Sequence, residues 1–400
     1  MKRMWLVCIL VAPLVVGAVL GTAPVGAARA GAFDAAWDAQ HAAAYLDARQ
    51  TWWRGWPNAA RDHDTVCVSC HSALPYALAR PALRTRLNEH GPSPNESKLV
   101  ADVVKRVRAW KDMEPWYPDQ TRGLPKTAES RGTESVINAI VLVRRDAEAA
   151  EWLRSASGRE SSASGRRDAL SPDAWGAALS YDGRLALSNM WAQQMRTGDL
   201  KGAWAWLSFG LEPWEGAKSA YLGAALAAVA VGSAPGGYAA SVDIQPNVEL
   251  LRGYLAKQAA DQPMLNKMML LWASAKLPGV VTPTKRDAVA TEILGAQQAD
   301  GCWSTALSGP WKRVDGSALE TGSDGYATGL ATFALLESGL PASHTRVQHG
   351  LRWLIEHQDR STGRWLAASL NKNRDPETEP SKFMNDVATA YAVLALTAAQ

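Results

Sequence analysis

Apolar residues recur at three- and four-residue intervals along nearly the whole chain, and no stretch alternates apolar with polar positions as a half-buried strand does. The spacing of Phe33, Trp37, Ala44, Tyr45 and Ala48 predicts a helix over 33–53. Further helices are expected over 72–87, over 95–110 with Asn95 as cap, and over 133–150, 185–196, 200–209, 217–231, 248–258 and 263–275, with Gly or Pro between them. Two stretches break the pattern. Residues 114–131 are rich in Pro, Gly and charge, too irregular for an element and long enough to carry function. Residues 155–168 hold Ser, Gly and Arg with no apolar anchor, which predicts a mobile loop. The fold class expected is all-α.

The last third repeats itself. Ile293-x-x-x-Gln297-x-x-x-Gly301-x-Trp303 recurs as Leu354-x-x-x-Gln358-x-x-x-x-Gly363-x-Trp365, and the helix starting Ala327-Thr328-Gly329 recurs as Ala388-Thr389-Ala390. Glutamine to glutamine and helix to helix, the separation is about 61 residues in both cases, so one structural unit is repeated. Each unit reads as a helix, a turn closed by Gln, Gly and Trp, and a second helix whose small residues allow close neighbours.

These Q-x-x-x-G-x-W turns resemble the QW motifs of squalene-hopene cyclases and the wider terpenoid-cyclase and prenyltransferase toroids. Tyr45-Leu46-x-x-x-Gln50-x-x-x-x-Gly55-Trp56 reads as a degenerate third copy. The resemblance is carried by residues 283–400 and implies an α/α toroid, a barrel of helical hairpins whose inner helices line a central cavity. It accounts for 18 Trp beside only 4 Phe. A different solenoid of helix pairs is the alternative. The family's chemistry does not follow from its turns. The D-x-D-D acid of class II cyclases is missing, Asp62-His63-Asp64-Thr65 being the nearest string, and the D-D-x-x-D metal motif is missing too. Asp300-Gly301-Cys302 looks like the D-G-C of the protein prenyltransferases' zinc site, but the position aligned with their histidine holds Ala388. Asp300 therefore reads as a turn residue and Cys302 as a buried thiol.

The chemistry lies in Cys67-Val68-Ser69-Cys70-His71. Two thiols three residues apart can add across the vinyl groups of one haem, with the following histidine as proximal ligand, so the expected cofactor is one covalent haem c per chain on Cys67, Cys70 and His71. A redox cysteine pair, half a zinc site or a disulfide are the other readings; no second C-x-x-C and no H-x-x-x-H exists to complete a zinc site.

Thioether attachment takes place outside the cytoplasm, and residues 1–30 have the pattern of a signal peptide. Met1-Lys2-Arg3 is basic, residues 4–20 are almost wholly apolar, and Ala28-Arg29-Ala30 is an A-x-A cleavage site. A periplasmic or otherwise exported protein with no stable membrane span after cleavage is expected, an uncleaved anchor being the alternative. Removing Lys2, Arg3 and Arg29 brings the net charge of +3 to zero, which argues against nucleic acid as a partner. Cys8 leaves with the signal and the haem takes its pair, so Cys302 has no mate for a disulfide.

The sixth ligand is open. Met113, in the Pro-rich segment, is the candidate; Met190, Met195, Met264 and Met384 compete as core residues, and His63 stands too near the motif to reach the far haem face. Trp52, Trp53 and Trp56 are placed to flank a porphyrin, and Arg54 or Arg61 to meet its propionates. Asp324 starts an inner-helix segment where the resembling toroids keep cavity groups, a helix cap being the alternative; Glu134 occupies a similar place and reads rather as part of a capping box. The chain thus divides into a signal (1–30), haem-bearing helices (31–130) and a toroid (131–400) continuous with them. The function expected first is electron transfer with a redox partner protein. The second is a haem-dependent oxidoreductase acting on an apolar, isoprenoid-like small molecule in the cavity, and a cyclase-like isomerase is the most distant.

Overall fold

The computed structural model describes residues 37–163, 179–376 and 378–400, with 155–163 through their backbone alone. The described chain is all-α. Helices of twelve residues or more come in consecutive pairs: α1 (Ala39–Gly55) and α2 (Ala73–Arg86), α3 (Pro94–Arg108) and α4 (Lys126–Ala163), α5 (Tyr181–Ala192) and α6 (Ser219–Ser233), α7 (Gln245–Gln258) and α8 (Met264–Lys276), α9 (Pro283–Gly295) and α10 (Gly325–Glu337), α11 (Thr345–Glu356) and α12 (Lys382–Ala398).

The two members of a pair differ in kind. Even-numbered helices such as α6, α10 and α12 bury nearly every residue, so each has neighbours on all sides. Odd-numbered helices such as α3 and α11 carry one apolar stripe and turn charge outward. The even-numbered helices pack in succession, α2 on α4, α4 on α6, and so on to α10 on α12, and α12 packs back onto α2. Small residues make the closest crossings possible: a Cβ on Gly329 would stand 2.6 Å from the backbone nitrogen of Ala392.

The repeated turns join one odd-numbered helix to the start of the next. Gln297 Nε2 donates to Gly301 O and to Arg346 O at the head of α11, and Gln358 Nε2 donates to Gly363 O and to Asp38 O at the head of α1. The second link joins chain positions 320 residues apart, and Gln358 Oε1 also accepts from the Asp38 backbone N–H. Each tryptophan returns its indole N–H to the carbonyl four residues before its glutamine, Trp303 to Ile293 and Trp365 to Leu354, both at 2.7 Å.

The third copy is at a different place from the one expected. Gln194 Nε2 donates to Gly202 O and to Asn247 O at the head of α7, while Trp204 Nε1 donates to Met190 O, the same geometry in full. Glycines 202, 301 and 363 all take left-handed φ values, +96°, +85° and +79°. Gln50 and Gly55 do not form such a turn: Gly55 ends a helix with no crowding near it, and the buried Gln50 amide has no hydrogen-bond partner among the described residues. The helix expected over 200–209 is accordingly absent, because Gly202 turns the chain and Trp204 is drawn back onto α5.

Other boundaries move. α4 begins at Lys126, inside the expected irregular segment, which also holds a helical turn at Asp119–Arg122. Its backbone stays helical to Ala163, through part of the expected loop; residues 164–168 lie outside those described. The early start puts Glu134 mid-helix instead of at a cap. There it is fully buried in an ion pair with Arg106, whose guanidinium also donates to Thr65 Oγ1 and Glu114 O. A two-stranded hairpin, β1 (Ala60–Arg61) with β2 (Thr65–Val66), precedes Cys67 and is too short to show a period in the sequence.

Gln358→Ala leaves the Asp38 and Gly363 carbonyls and the Asp38 N–H without their partner. A loss of about 2–4 kcal/mol is expected in denaturant unfolding, against less for Gln297→Ala in its more open site. Equal losses would deny the 358 turn its role in joining the two ends of the chain.

Candidate functional site

Cys67 to His71 lie where β2 leads into α2, at the end of the molecule where the even-numbered helices begin. Trp53 Nε1 on α1 donates to Cys67 O at 2.7 Å, and Ser69 Oγ accepts from the Ser72 and Ala73 N–H groups, so the loop is held at both ends before any cofactor is considered. Cys67 is buried and Cys70 half-buried, and both thiols are free. Burial pushes the Cys67 thiol up to about 12 and Cys70 well above its ordinary value, with Glu215 adding to both. Neutral thiols of this kind bind a metal ion weakly, because the thiolate is the metal ligand. No group of three metal-ligating side chains occurs among the described residues.

His71 is surrounded by rings. Phe383 stacks on it at 3.9 Å between centroids, Trp53 meets it edge-on at 5.0 Å, and Trp214 lies at 5.7 Å. Burial drives its pKa down to about 3, so the imidazole is neutral at neutral pH, the form that ligates iron. Its Nδ1 is 3.1 Å from Ser72 Oγ, and Ser72 donates its own proton to Asp386 Oδ2 at 2.6 Å. Asp386 takes further hydrogen bonds from Arg49 Nε (2.7 Å) and Tyr45 OH (2.9 Å). Burial raises the Asp386 carboxyl, and Arg49 pulls against it. Because the serine proton is committed to Asp386, its oxygen can only accept from Nδ1, which puts the ring proton on Nδ1 and leaves the Nε2 lone pair for a metal. The donor set fits a haem c: Cys67 and Cys70 would hold the vinyl carbons, and His71 Nε2 the iron.

Of the aromatic residues expected around the porphyrin, Trp53 touches His71 directly, while Trp52 and Trp56 stack on each other at 5.3 Å and reach it through Phe383. The propionate candidates are occupied elsewhere. Arg54 is bound to Asp102, and Arg61 donates to Asn58 O and Ala60 O and covers the Tyr117 ring. Met113 is buried, its sulfur 3.8 Å from Arg106 Nη1 beside the Arg106–Glu134 pair. Met190 and Met384 are core residues and Met195 is exposed. His63 bonds Asp62 and is more than half exposed. Asp324 is the N-cap of α10, accepting from the Tyr326 and Ala327 N–H groups. Cys302 is fully buried and donates to Asp300, and Ala388 is buried in α12.

Ser72, Asp386, Phe383, Trp214 and Glu215 have no short sequence motif to mark them. Only Ser72 adjoins the cysteine pair; the others are brought to it by packing. Glu215 is the strongest titrating group of the set, burial pushing its carboxyl up to about 7 with Lys126 opposing.

A second feature lies at the far end of the same helices. A cavity of about 1400 Å³ opens where the even-numbered helices finish, with Leu78, Ile140, Val229, Trp272, Phe333 and Leu394, one from each, on its wall. Arg84, Arg144, Lys276 and Glu337 line it as well. Between cavity and His71 the space is packed with rings: Trp214 donates to Tyr326 OH, Tyr326 stacks on Tyr391 at 5.7 Å, and Phe333 and Trp272 follow.

No family model matches the chain, and no curated protein matches it.

A carboxyl with a raised folded pKa stabilises the fold below its unfolded value, near 4.5 for Glu215, and that contribution is lost as pH climbs to about 7. Between pH 5 and 8 the native protein is therefore expected to lose about 2 kcal/mol more stability than Glu215→Gln, measured by denaturant unfolding at each pH. Parallel pH profiles would remove Glu215 from the buried set.

Proposed function

We propose that the protein is an exported cytochrome: an α/α toroid of six helical hairpins that carries one haem c on Cys67, Cys70 and His71 and passes electrons to a partner protein. The observation that carries this reading is the place of His71 beside the cysteine pair, packed among rings and with Nδ1 beside Ser72 Oγ, which leaves Nε2 for a metal. A haem bound there supplies a one-electron iron couple in an apolar pocket. The chain's own part is to hold the ligand histidine in place among the rings of Phe383, Trp53 and Trp214.

The toroid supports the reading in outline. The closed succession of even-numbered helices, flanked by odd-numbered ones and tied by Gln–Gly–Trp turns, is the arrangement the resemblance to terpenoid-cyclase toroids implies. The pattern of residues 1–30 agrees with export, and no described helix is long and apolar enough to cross a membrane.

The second reading, a haem oxidoreductase for an apolar isoprenoid-like molecule, has the 1400 Å³ cavity in its favour. That cavity opens at the opposite end from His71, with the Tyr326–Tyr391 stack between them, so a molecule inside it does not reach the histidine. This separation favours electron transfer over chemistry on a cavity substrate at the iron.

Full-length protein produced with a haem-attachment system is expected to hold haem that acid acetone does not extract, in a ratio of one per chain. Cys67→Ala with Cys70→Ala should abolish the covalent bond. The reduced protein should bind carbon monoxide slowly or not at all; rapid binding would transfer the case to the second reading, and colourless protein would end the cytochrome reading itself.

A further inference from the structure

The hydrogen bond from Ser72, the residue next to His71, to Asp386 spans 314 residues and crosses from the head of α2 to the second turn of α12. The residue that fixes the haem histidine therefore comes from the last helix of the chain. Asp386 is 1 % exposed and holds three donors at once, from α1 (Tyr45 and Arg49) and from the residue before α2 (Ser72). Arg49 is itself anchored, its guanidinium also bound to the Glu379 side chain and donating to Glu379 O. The corresponding position in the preceding repeat unit is Gly325, where a side chain would strike Trp365, so the carboxylate belongs to this one unit.

The chemical effect of such a chain is directional. A hydroxyl that donates to a buried carboxylate becomes a better acceptor, and an imidazole whose N–H is given to that acceptor is more electron-rich at its other nitrogen. An electron-rich axial ligand stabilises ferric over ferrous iron. Taking the Cys67, Cys70 and His71 haem as given above, we infer that Asp386, acting through Ser72, is a positioning residue for the haem ligand: it sets the His71 tautomer and holds the iron's reduction potential down. Arg49 and Tyr45 keep Asp386 aimed. Electron-transfer potential and closure of α12 on α1 and α2 are in this way set by one carboxylate.

Ser72→Ala tests it, because this change removes the link and leaves the Asp386–Arg49 pair in place; Asp386→Asn is the companion variant, and Ser72→Thr the conservative control. In the haem-loaded protein, Ser72→Ala should shift the ferric–ferrous equilibrium roughly tenfold toward ferrous iron, a rise in midpoint of about 59 mV for one electron. Ser72→Thr should keep the native value. In haem-free full-length protein, nitrogen-15 spectra of His71 should show Nδ1–H alone, and Ser72→Ala should give a mixture of tautomers. An unchanged midpoint in Ser72→Ala with haem attached at the native yield overturns the inference, as does Nε2–H in the native haem-free protein. Native protein without attached haem refutes the cytochrome reading instead, and the tautomer measurement still decides this one.

Discussion

A helix with no polar face cannot stand at an edge. In α6, α10 and α12 almost every side chain is buried, and each must find apolar neighbours on both sides and along its back. A row of such helices laid side by side always leaves two raw ends in water, and the cost of exposed apolar surface, about 25 cal/mol for each Å², is removed only when the ends meet. Here they meet where α12 packs on α2. The flanking helices then cover the outside with one apolar stripe apiece and turn their charged faces outward.

Closure has to be specific as well as apolar. The Gln–Gly–Trp turns provide this: a glutamine amide carries two donors on one rigid plane, and each glutamine gives them to the turn behind and to the head of the next flanking helix. At the seam, Gln358 bonds both the N–H and the C=O of Asp38, and Asp38 in turn caps α1 through His41 N–H. Asp386 ties the same seam from inside. Polar groups in the interior are stabilising only when every one is paired, and at this seam the pairings also orient His71. The candidate site and the closure of the fold share their hydrogen bonds.

The two ends of the helix succession are chemically unlike. Where the even-numbered helices begin, the cysteine pair and His71 lie among Trp53, Trp214 and Phe383; where they finish, a wide cavity lined by apolar and charged side chains opens. Stacked tyrosines divide the two. The packing of Tyr326 and Tyr391 is what separates the cavity from the cysteine pair and His71.

Local chemistry written within a few residues was legible in the chain: the helical periods, the Cys67–His71 motif, and the turns at Gln297 and Gln358, each with its glycine and tryptophan at short fixed spacing. The Gln194 turn escaped because eight residues, not four or five, separate its glutamine from Gly202, and the geometry tolerates that length so long as the glycine reverses the chain and the indole reaches back. Q-then-G-x-W, allowing a longer gap, would have found it. Glu134 looked like a cap because nothing nearby in sequence announces Arg106, and Gln50 looked like a turn residue because its spacing was right and its surroundings were not yet known. By itself the sequence determined that the chain is helical nearly throughout and where the turns at Gln297 and Gln358 stand. Only the tertiary structure decided which carboxylate holds His71, that the cavity lies away from it, and where the ends of the chain join, because those depend on contacts between residues hundreds of positions apart, and hydrogen bonds carry no trace of such distances in local pattern.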